Sequence, residues 1–379
     1  MIKFKNVLKN FLAFQNKKTC MITFEVKNGL FTIYSSIGVS GDNIAQLRYR
    51  IDRVDSADFS LTTDIKDLKD AIKMHKDDIV LDGKNIIFGE MKFELDDCGG
   101  VSIVEFLDGE SFKYAFDRED LKVKVETANL YKSFDSQRFQ FVCFDFNNSE
   151  INVVSTNSSR MSVKKFVGMT CEDQFQDVLF VDLLEGMLNE KDSDTVRYLR
   201  KEIKDKNDVI VDKIVQFNMG PWSYACKGLN RFPDYRSIID CCVREFQFTL
   251  DVKKFNTALK MAKPLVSGDN CLIMVLEGDK IKFTKSDYST GITIDGAVIN
   301  APMYQQRHRL LFAHYILKEL FTGMKNGQFT FHYSVKKGQK GIMIWSSDAG
   351  VYMMSRSVED GIVQDICEET ENKGGENNG

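Results

Sequence analysis

Short runs of alternating apolar and polar residues dominate the chain. They are MITFEVKNGLFTIYSS from Met21, KNIIFGEMKFEL from Lys84, VSIVEFLDG from Val101, RFQFVCFDFNNSEINVVST from Arg138, CLIMVLEGDKIKFTKS from Cys271, QFTFHYSVKKGQKGIMIWSS from Gln328 and GVYMMSR from Gly350. A period of two puts every second side chain on one face, which predicts half-buried strands. Asn-Gly, Asp-Gly, Asn-Asn and Glu-Gly-Asp steps among these runs supply the backbone freedom of tight turns, so the strands are expected to pair as antiparallel hairpins. Helical periodicity is rarer. It predicts helices over 3–15, 64–76, 117–133, 181–205, 251–263 and 312–324. Few helices among many hairpin strands make an α+β chain.

One pattern recurs. YAFDREDLKVKVETA, from Tyr114, matches FTLDVKKFNTALKMA, from Phe248, at an offset of 134 residues. Phe116 falls on Leu250, Asp117 on Asp251, Leu121 on Phe255, Val125 on Leu259 and Ala128 on Ala262. Each copy reads as a strand end, an Asp N-cap and a helix with one apolar stripe. A duplicated unit explains the match, and so does the general likeness of capped amphipathic helices.

The polar sides of the predicted helices carry cations, among them Lys5, Lys9, Lys73, Lys122, Lys132, Arg197, Lys201, Lys253, Lys254 and Lys260. Such charges are either a solvated face or a surface that meets phosphates without reading bases. The whole chain has a net charge of −4, so any basic surface is local. Its 379 residues suit two or three domains, and 43% hydrophobic with 28% charged residues suits a globular chain. There is no apolar run of membrane-spanning length and no secretory signal pattern, which excludes a membrane span and points to the cytoplasm.

The nine cysteines are odd in number and lack C-x-x-C spacing, and Cys241-Cys242 is read as a buried pair in a reducing compartment. The histidines, His75, His308, His314 and His332, form no metal-ligand motif, and no phosphate-binding Gly-rich loop occurs. No catalytic residue, metal or cofactor is therefore expected. Trp222 and Trp345 are read as packing residues, and the tail QDICEETENKGGENNG as acidic and disordered.

Two segments give these features a family. RFPDYRSII, Arg231 to Ile239, and INVVSTNSSRMSVKKF, Ile151 to Phe166, together resemble the bacterial beta sliding clamp, the beta subunit of DNA polymerase III. The first matches that family's G-R-F-P-D-Y-R segment and the second its A-T-D-G-H-R-L-A turn, keeping Thr156 and Arg160 with Met161 for Leu. LFAHYILKEL is similar to the family's F-N-x-x-Y-L-x-D-x-L helix and places Tyr315. GVYMMSR is similar to V-V-M-P-M-R and places Val351, Tyr352, Met353 and Arg356. The resemblance runs over roughly residues 113–356. It departs at Asn157, Ser158, Ser159, Met354 and Ser355, and the chain continues past Arg356. These departures and an AT-rich coding bias suit a divergent or phage-encoded member.

The resemblance implies three similar clamp domains, at 1–112, 113–243 and 244–358, with a tail at 359–379. Sheets would lie outside and two helices per domain inside, in a head-to-tail homodimeric ring. It implies a replication processivity factor, not an enzyme, that encircles double-stranded DNA and is opened by an ATP-dependent clamp loader. The replicative polymerase and other partners would dock in a cleft between domains two and three. Carried over by position, that cleft would use Thr156, Ser158, Arg160, Met161, Pro233, Ile238, Tyr315, Val351, Tyr352, Met353 and Arg356. A monomeric clamp-like interaction protein that occupies clamp partners without encircling DNA is the competing expectation.

Overall fold

The structure, a computed structural model, describes residues 7–8, 11, 21–38, 44–51, 57–64, 70, 72, 79–99, 104–132, 140–157, 160–228, 231–240, 246–266, 271–277, 280–284, 291–295, 298–299, 307–313, 327–333, 342–347 and 350–355. Val7, Leu8 and Phe11 are helical, and the first strands are β1 (Met21–Lys27), β2 (Leu30–Gly38), β3 (Ile44–Ile51), β4 (Phe59–Asp64), β5 (Ile79–Asp82), β6 (Asn85–Phe88) and β7 (Met91–Glu94). Next come β8 (Tyr114–Asp117), α1 (Arg118–Tyr131), β9 (Val142–Asn147), β10 (Glu150–Thr156), β11 (Arg160–Lys165) and β12 (Gln174–Leu179). Then follow α2 (Asp182–Leu188), β13 (Thr195–Lys204), β14 (Ile210–Met219), β15 (Trp222–Lys227) and α3 (Tyr235–Asp240). The last part holds β16 (Phe246–Asp251), α4 (Val252–Met261), β17 (Cys271–Glu277), β18 (Lys280–Thr284), β19 (Gly291–Asp295), β20 (Val298–Ile299), β21 (Arg307–Ala313), β22 (Gln328–Tyr333), β23 (Ile342–Ser347) and β24 (Gly350–Ser355).

The chain forms two compact units, residues 1–129, 140–144 and 175–231 in one and 130–139, 145–174 and 232–379 in the other. The first unit contains an eight-stranded sheet in the order β4-β1-β2-β3-β15-β14-β13-β8 and a three-stranded sheet, β5-β6-β7. The second contains the run β10-β11-β24-β23-β22-β16-β20 and the sheet β19-β18-β17-β21. The ladders are antiparallel, as the hairpin pattern predicts. The β1–β2 turn shows why: Asn28 and Gly29 take φ of 52° and 73°, the two positive values a two-residue hairpin turn requires.

The repeat is a shared local device. Asp117 caps α1 by accepting from Asp120 N at 2.8 Å, and Asp251 caps α4 by accepting from Lys254 N at 2.8 Å. Phe116, Leu121, Val125 and Ala128 are buried in the first copy, and Leu250, Phe255, Leu259 and Ala262 in the second.

Three sequence readings need correction. The helix expected over 181–205 stops at Leu188, and residues 195–204 form β13. Val196 and Tyr198 alternate into an aromatic core with Phe116, Phe217 and Tyr224, so ladder pairing on both sides overrides a charge pattern that looks helical. Residues 312–313 belong to strand β21, not to a helix. Residues 59–64 form β4, so helix within 64–76 is seen only at Asp70 and Ile72.

A fourth correction concerns VSIVEFLDG. Its described part, Val104 to Gly109, is no strand but a strap across the eight-stranded sheet. Its amides donate to buried side chains, Val104 N to Gln46 Oε1 at 3.1 Å and Leu107 N to Gln216 Oε1 at 2.6 Å. Val104 and Leu107 pack with Leu199, Ile214 and Ala225. The strap ends on Asp108, which takes a two-pronged bond from buried Arg48 at 2.8 and 2.6 Å and a third bond from Arg50 at 2.7 Å.

Hydrogen bonding from Arg48, and then the charges of Arg48 and Arg50, hold the Asp108 carboxyl below its ordinary value against the opposing effect of burial. A depressed folded-state pKa stabilises above the unfolded value of about 4, and that stability is lost as pH falls below it. Asp108→Asn should cost about 1 kcal/mol at pH 7, discounted because the carboxylate is half exposed. It should also flatten the fall in melting temperature between pH 5 and pH 3. Parallel pH curves for the two proteins would count against the strap anchor.

Candidate functional site

The carried-over cleft residues centre on the β10–β11 hairpin of the second unit. Thr156 pairs with Met161 across it. Thr156 Oγ1 donates to Arg160 O at 2.8 Å, Asn157 N donates to the same oxygen at 3.2 Å, and Arg160 N donates to Asn157 Oδ1 at 3.0 Å. The turn needs only an acceptor at position 157, which an amide supplies as well as a carboxylate, so Asn in place of the family's Asp keeps it closed.

Strand β24 lies beside β11, with Met161 opposite Met353, Ser162 opposite Tyr352 and Val163 opposite Val351. The pleat then sorts the candidates. Residues 351 and 353 share a face with Thr156, Met161, Val154 and Val163, whereas residue 352 shares the other face with Arg160 and Ser162. Thr156, Met161 and Val163 are nearly covered, as the floor of a site would be. Arg160 works on the other face. Its Nη2 donates to Leu130 O at 2.7 Å and its guanidinium lies 5.1 Å from the centre of the Tyr131 ring, a cation at a helix C-terminus. Burial pushes the Tyr131 hydroxyl well above its usual pKa, so it stays protonated there.

α3 stands on the Met161 face. The two-residue connection Asn148-Ser149 sets Asn147 opposite Glu150 and hence Asp145 opposite Asn152, on the side that carries Thr156. Asp145 is buried and accepts from Tyr235 Oη and from Arg236 Nε at 3.1 Å and Nη2 at 2.5 Å. With its amide turned, Asn147 also accepts from Arg236 at 2.9 Å. Asp234 caps the helix by accepting from Ser237 N at 3.2 Å. Nearby, Lys165 pairs with Glu150 and holds that carboxyl below its usual range.

The signature RFPDYR thus divides its labour. Asp234, Tyr235 and Arg236 fix α3, and the half-exposed Pro233 and Ile238 are left to face outward. Sequence reading missed Asp145 and Asn147. The available signal was a charge inside the apolar strand VCFDFN, where burial demands a partner.

The cations separate into three groups. Lys253, Lys254 and Lys260 project from α4 into solvent. On α1, Lys122 is paired with Glu126 at 3.8 Å, Lys124 is buried against Asp120, and Lys132 is buried, so the solvent side shows Glu119, Asp120 and Val123. Arg197 and Lys201, expected on a helix, sit on β13; Arg197 lies over the Phe112 ring at 5.3 Å and Lys201 meets Glu105 at 3.6 Å. Lys5, Lys9, Lys73, Ser158, Tyr315 and Arg356, with Cys241-Cys242 and His314, lie outside the described residues. Among the described residues no His/Cys/Asp/Glu group could hold a metal ion, and no helix is long and apolar enough to cross a membrane.

No protein-family model matches the sequence, and no curated protein does. Solved structures do match. A DNA polymerase sliding clamp from Pseudomonas aeruginosa superposes with a TM-score of 0.70 at 13% identity, covering 94% of this chain and 98% of that one. The DNA polymerase III beta subunit from Thermotoga maritima gives 0.71 at 12% identity, covering 93% and 96%. Agreement over nearly the whole length of both chains gives this protein the sliding-clamp fold.

Proposed function

We propose that this chain is a DNA sliding clamp, a replication processivity factor that encircles duplex DNA and slides without reading sequence. The observation that supports it best is a clamp fold matched over 94% of this chain and 98% of the clamp's own. In this reading the domains are 1–112, 113–243 and 244–358, with the tail at 359–379. Among the described residues, only the ladders β3–β15 and β11–β24 join strands across those boundaries. Domain-to-domain joining by sheet edges is what a ring repeats, and a head-to-tail homodimer in the cytoplasm would close it.

Thr156, Met161, Pro233, Ile238, Val351 and Met353 would receive an extended peptide of the replicative polymerase or another partner, and Ser158, Tyr315 and Arg356 would complete the cleft, with residue 352 on the opposite face of the sheet. Arg160 would position the hairpin. A clamp loader would spend ATP to open the ring, and the chain itself would perform no chemical step. DNA contact would rest on Lys253, Lys254 and Lys260, with Lys5, Lys9 and Lys73 as further candidates. Such contacts are diffuse and screened by salt, which lets the ring move.

The test is topological. Loaded on nicked circular plasmid, the protein should stay bound through gel filtration in 150 mM salt and run off when the plasmid is linearised. Equal loss from circular and linear DNA would remove the ring. A second reading, a monomeric interaction protein, draws on the acidic and apolar solvent side of α1, which offers phosphates little. It expects a 43.4 kDa monomer in sedimentation at all concentrations.

A further inference from the structure

We infer that the acidic C-terminal segment of this chain, Asp365 to Glu371, docks on the lysine face of α4 and competes there with nucleic acid. Only the competition rests on the DNA-binding reading; the docking does not.

The receiving surface is fully described. Phe255, Ala258 and Leu259 turn into the core, and Lys253, Lys254 and Lys260 turn out, with Lys263 exposed in the turn that follows. Lys253 and Lys260 are seven residues apart, two helical turns or about 10 Å on one stripe. Among the described residues none of these four lysines has an acidic partner. The comparison with α1 is direct, because the two helices are the matched copies of the repeat. α1 neutralises its lysines locally through Asp120 and Glu126, whereas α4 has no acidic residue in its span.

The occupant follows from charge and tether. Residues 357–379 hold seven acidic residues and one lysine, so the remaining 356 residues carry 50 cations against 48 acids. The excess negative charge of the chain is therefore in the tail. Asp365, Glu368, Glu369 and Glu371 place four carboxylates within seven residues, against four lysines.

The tail leaves β24 at Ser355 in the same unit as α4. Three strand spacings in the order β24-β23-β22-β16 are about 14 Å, and the length of β16 adds about 20 Å along the strand, so α4 begins about 25 Å from the root. The ten residues from Arg356 to Asp365 reach about 33 Å when extended, which is enough. A tether of this length holds the acids at an effective concentration near millimolar. A local affinity of about 0.1 mM would then weaken a competing polyanion about tenfold.

Two measurements on the full chain test this. Carbodiimide cross-linking without DNA, read by mass spectrometry, should join Asp365–Glu371 to Lys253, Lys254, Lys260 or Lys263 within one chain. Links spread evenly over other lysines, or formed between two isotopically distinguished copies, would overturn the docking. Next, Asp365→Asn, Glu368→Gln, Glu369→Gln and Glu371→Gln together should tighten binding of a 30-base-pair duplex about tenfold at 50 mM salt. The gain should vanish at high salt and in a Lys253→Gln, Lys254→Gln, Lys260→Gln background. An unchanged affinity overturns the competition. If the cross-links form but no variant binds duplex, the docking stands and the competition falls, while retention on circular plasmid decides the ring separately.

Discussion

Asp177→Ala should unfold the first unit at a much lower urea concentration, a loss of about 3–5 kcal/mol. The Asp177 side chain is completely buried and is held by three donors. These are Tyr198 Oη, Arg200 Nε at 3.1 Å and Lys213 Nζ at 2.9 Å, and the two cations are themselves almost buried. Burial and the neighbouring carboxylate push the Tyr198 hydroxyl far above its ordinary pKa, so it donates at any pH the fold survives. Removing the carboxylate takes one counter-charge from Arg200 and leaves the nearly buried Lys213 without one. Arg200 still has Glu202 at 2.6 Å and the Phe175 ring at 4.2 Å, whereas Lys213 keeps the Gln176 carbonyl at 2.7 Å, which carries no full charge, so the larger penalty falls on Lys213. Asp177→Leu combined with Lys213→Met should recover most of the loss, because a packed apolar pair needs no partner. In a Trp345→Phe background, Trp222 fluorescence reports this unit alone. A single-variant loss below 1 kcal/mol would show that the cations find water.

In the proposed cleft, Asp145→Ala should weaken capture of a synthetic extended peptide with aliphatic and aromatic anchors by about thirtyfold. The carboxylate ties both Tyr235 and Arg236 to the sheet, and hydrogen bonds to charged groups contribute about 1.5–3 kcal/mol each. Losing about 2 kcal/mol of wall position converts to that change in affinity. Glu150→Gln touches only the neighbouring Lys165 pair and should leave peptide affinity within twofold. Calorimetric titration of the three proteins decides it. Equal affinities would detach α3 from peptide capture.

What the sequence revealed and what it hid follow from range. The Asn28-Gly29 hairpin and the Asp117 and Asp251 caps are decided by neighbours within four residues, so pattern alone placed them. The strand Thr195–Lys204 was hidden because its partners, β14 and β8, impose a period of two on residues whose own charges suit a helix. Asp145 and Asp177 were visible as charges in apolar runs. Their partners lie 90 and 91 residues away in the first case and 21 to 36 in the second, and nothing local names them. In the candidate cleft, the resemblance named Thr156, Met161, Val351 and Met353 one by one, and their common face came only with the ladder registers. The opposite-face placement of Arg160 needed the β11–β24 register.

In the proposed domain division, the joints β3–β15 and β11–β24 are made by main-chain groups. Six residue pairs, from Trp222 with Tyr49 to Lys227 with Ile44, form the first, and five pairs the second. A bond between amide and carbonyl is the same whatever side chain stands above it. Joints of this kind are blind to most substitutions, so neighbouring modules can keep their alignment while their residues are exchanged almost completely. That gives a chain 12–13% identical to its structural neighbours a way to drift in sequence without coming apart in shape.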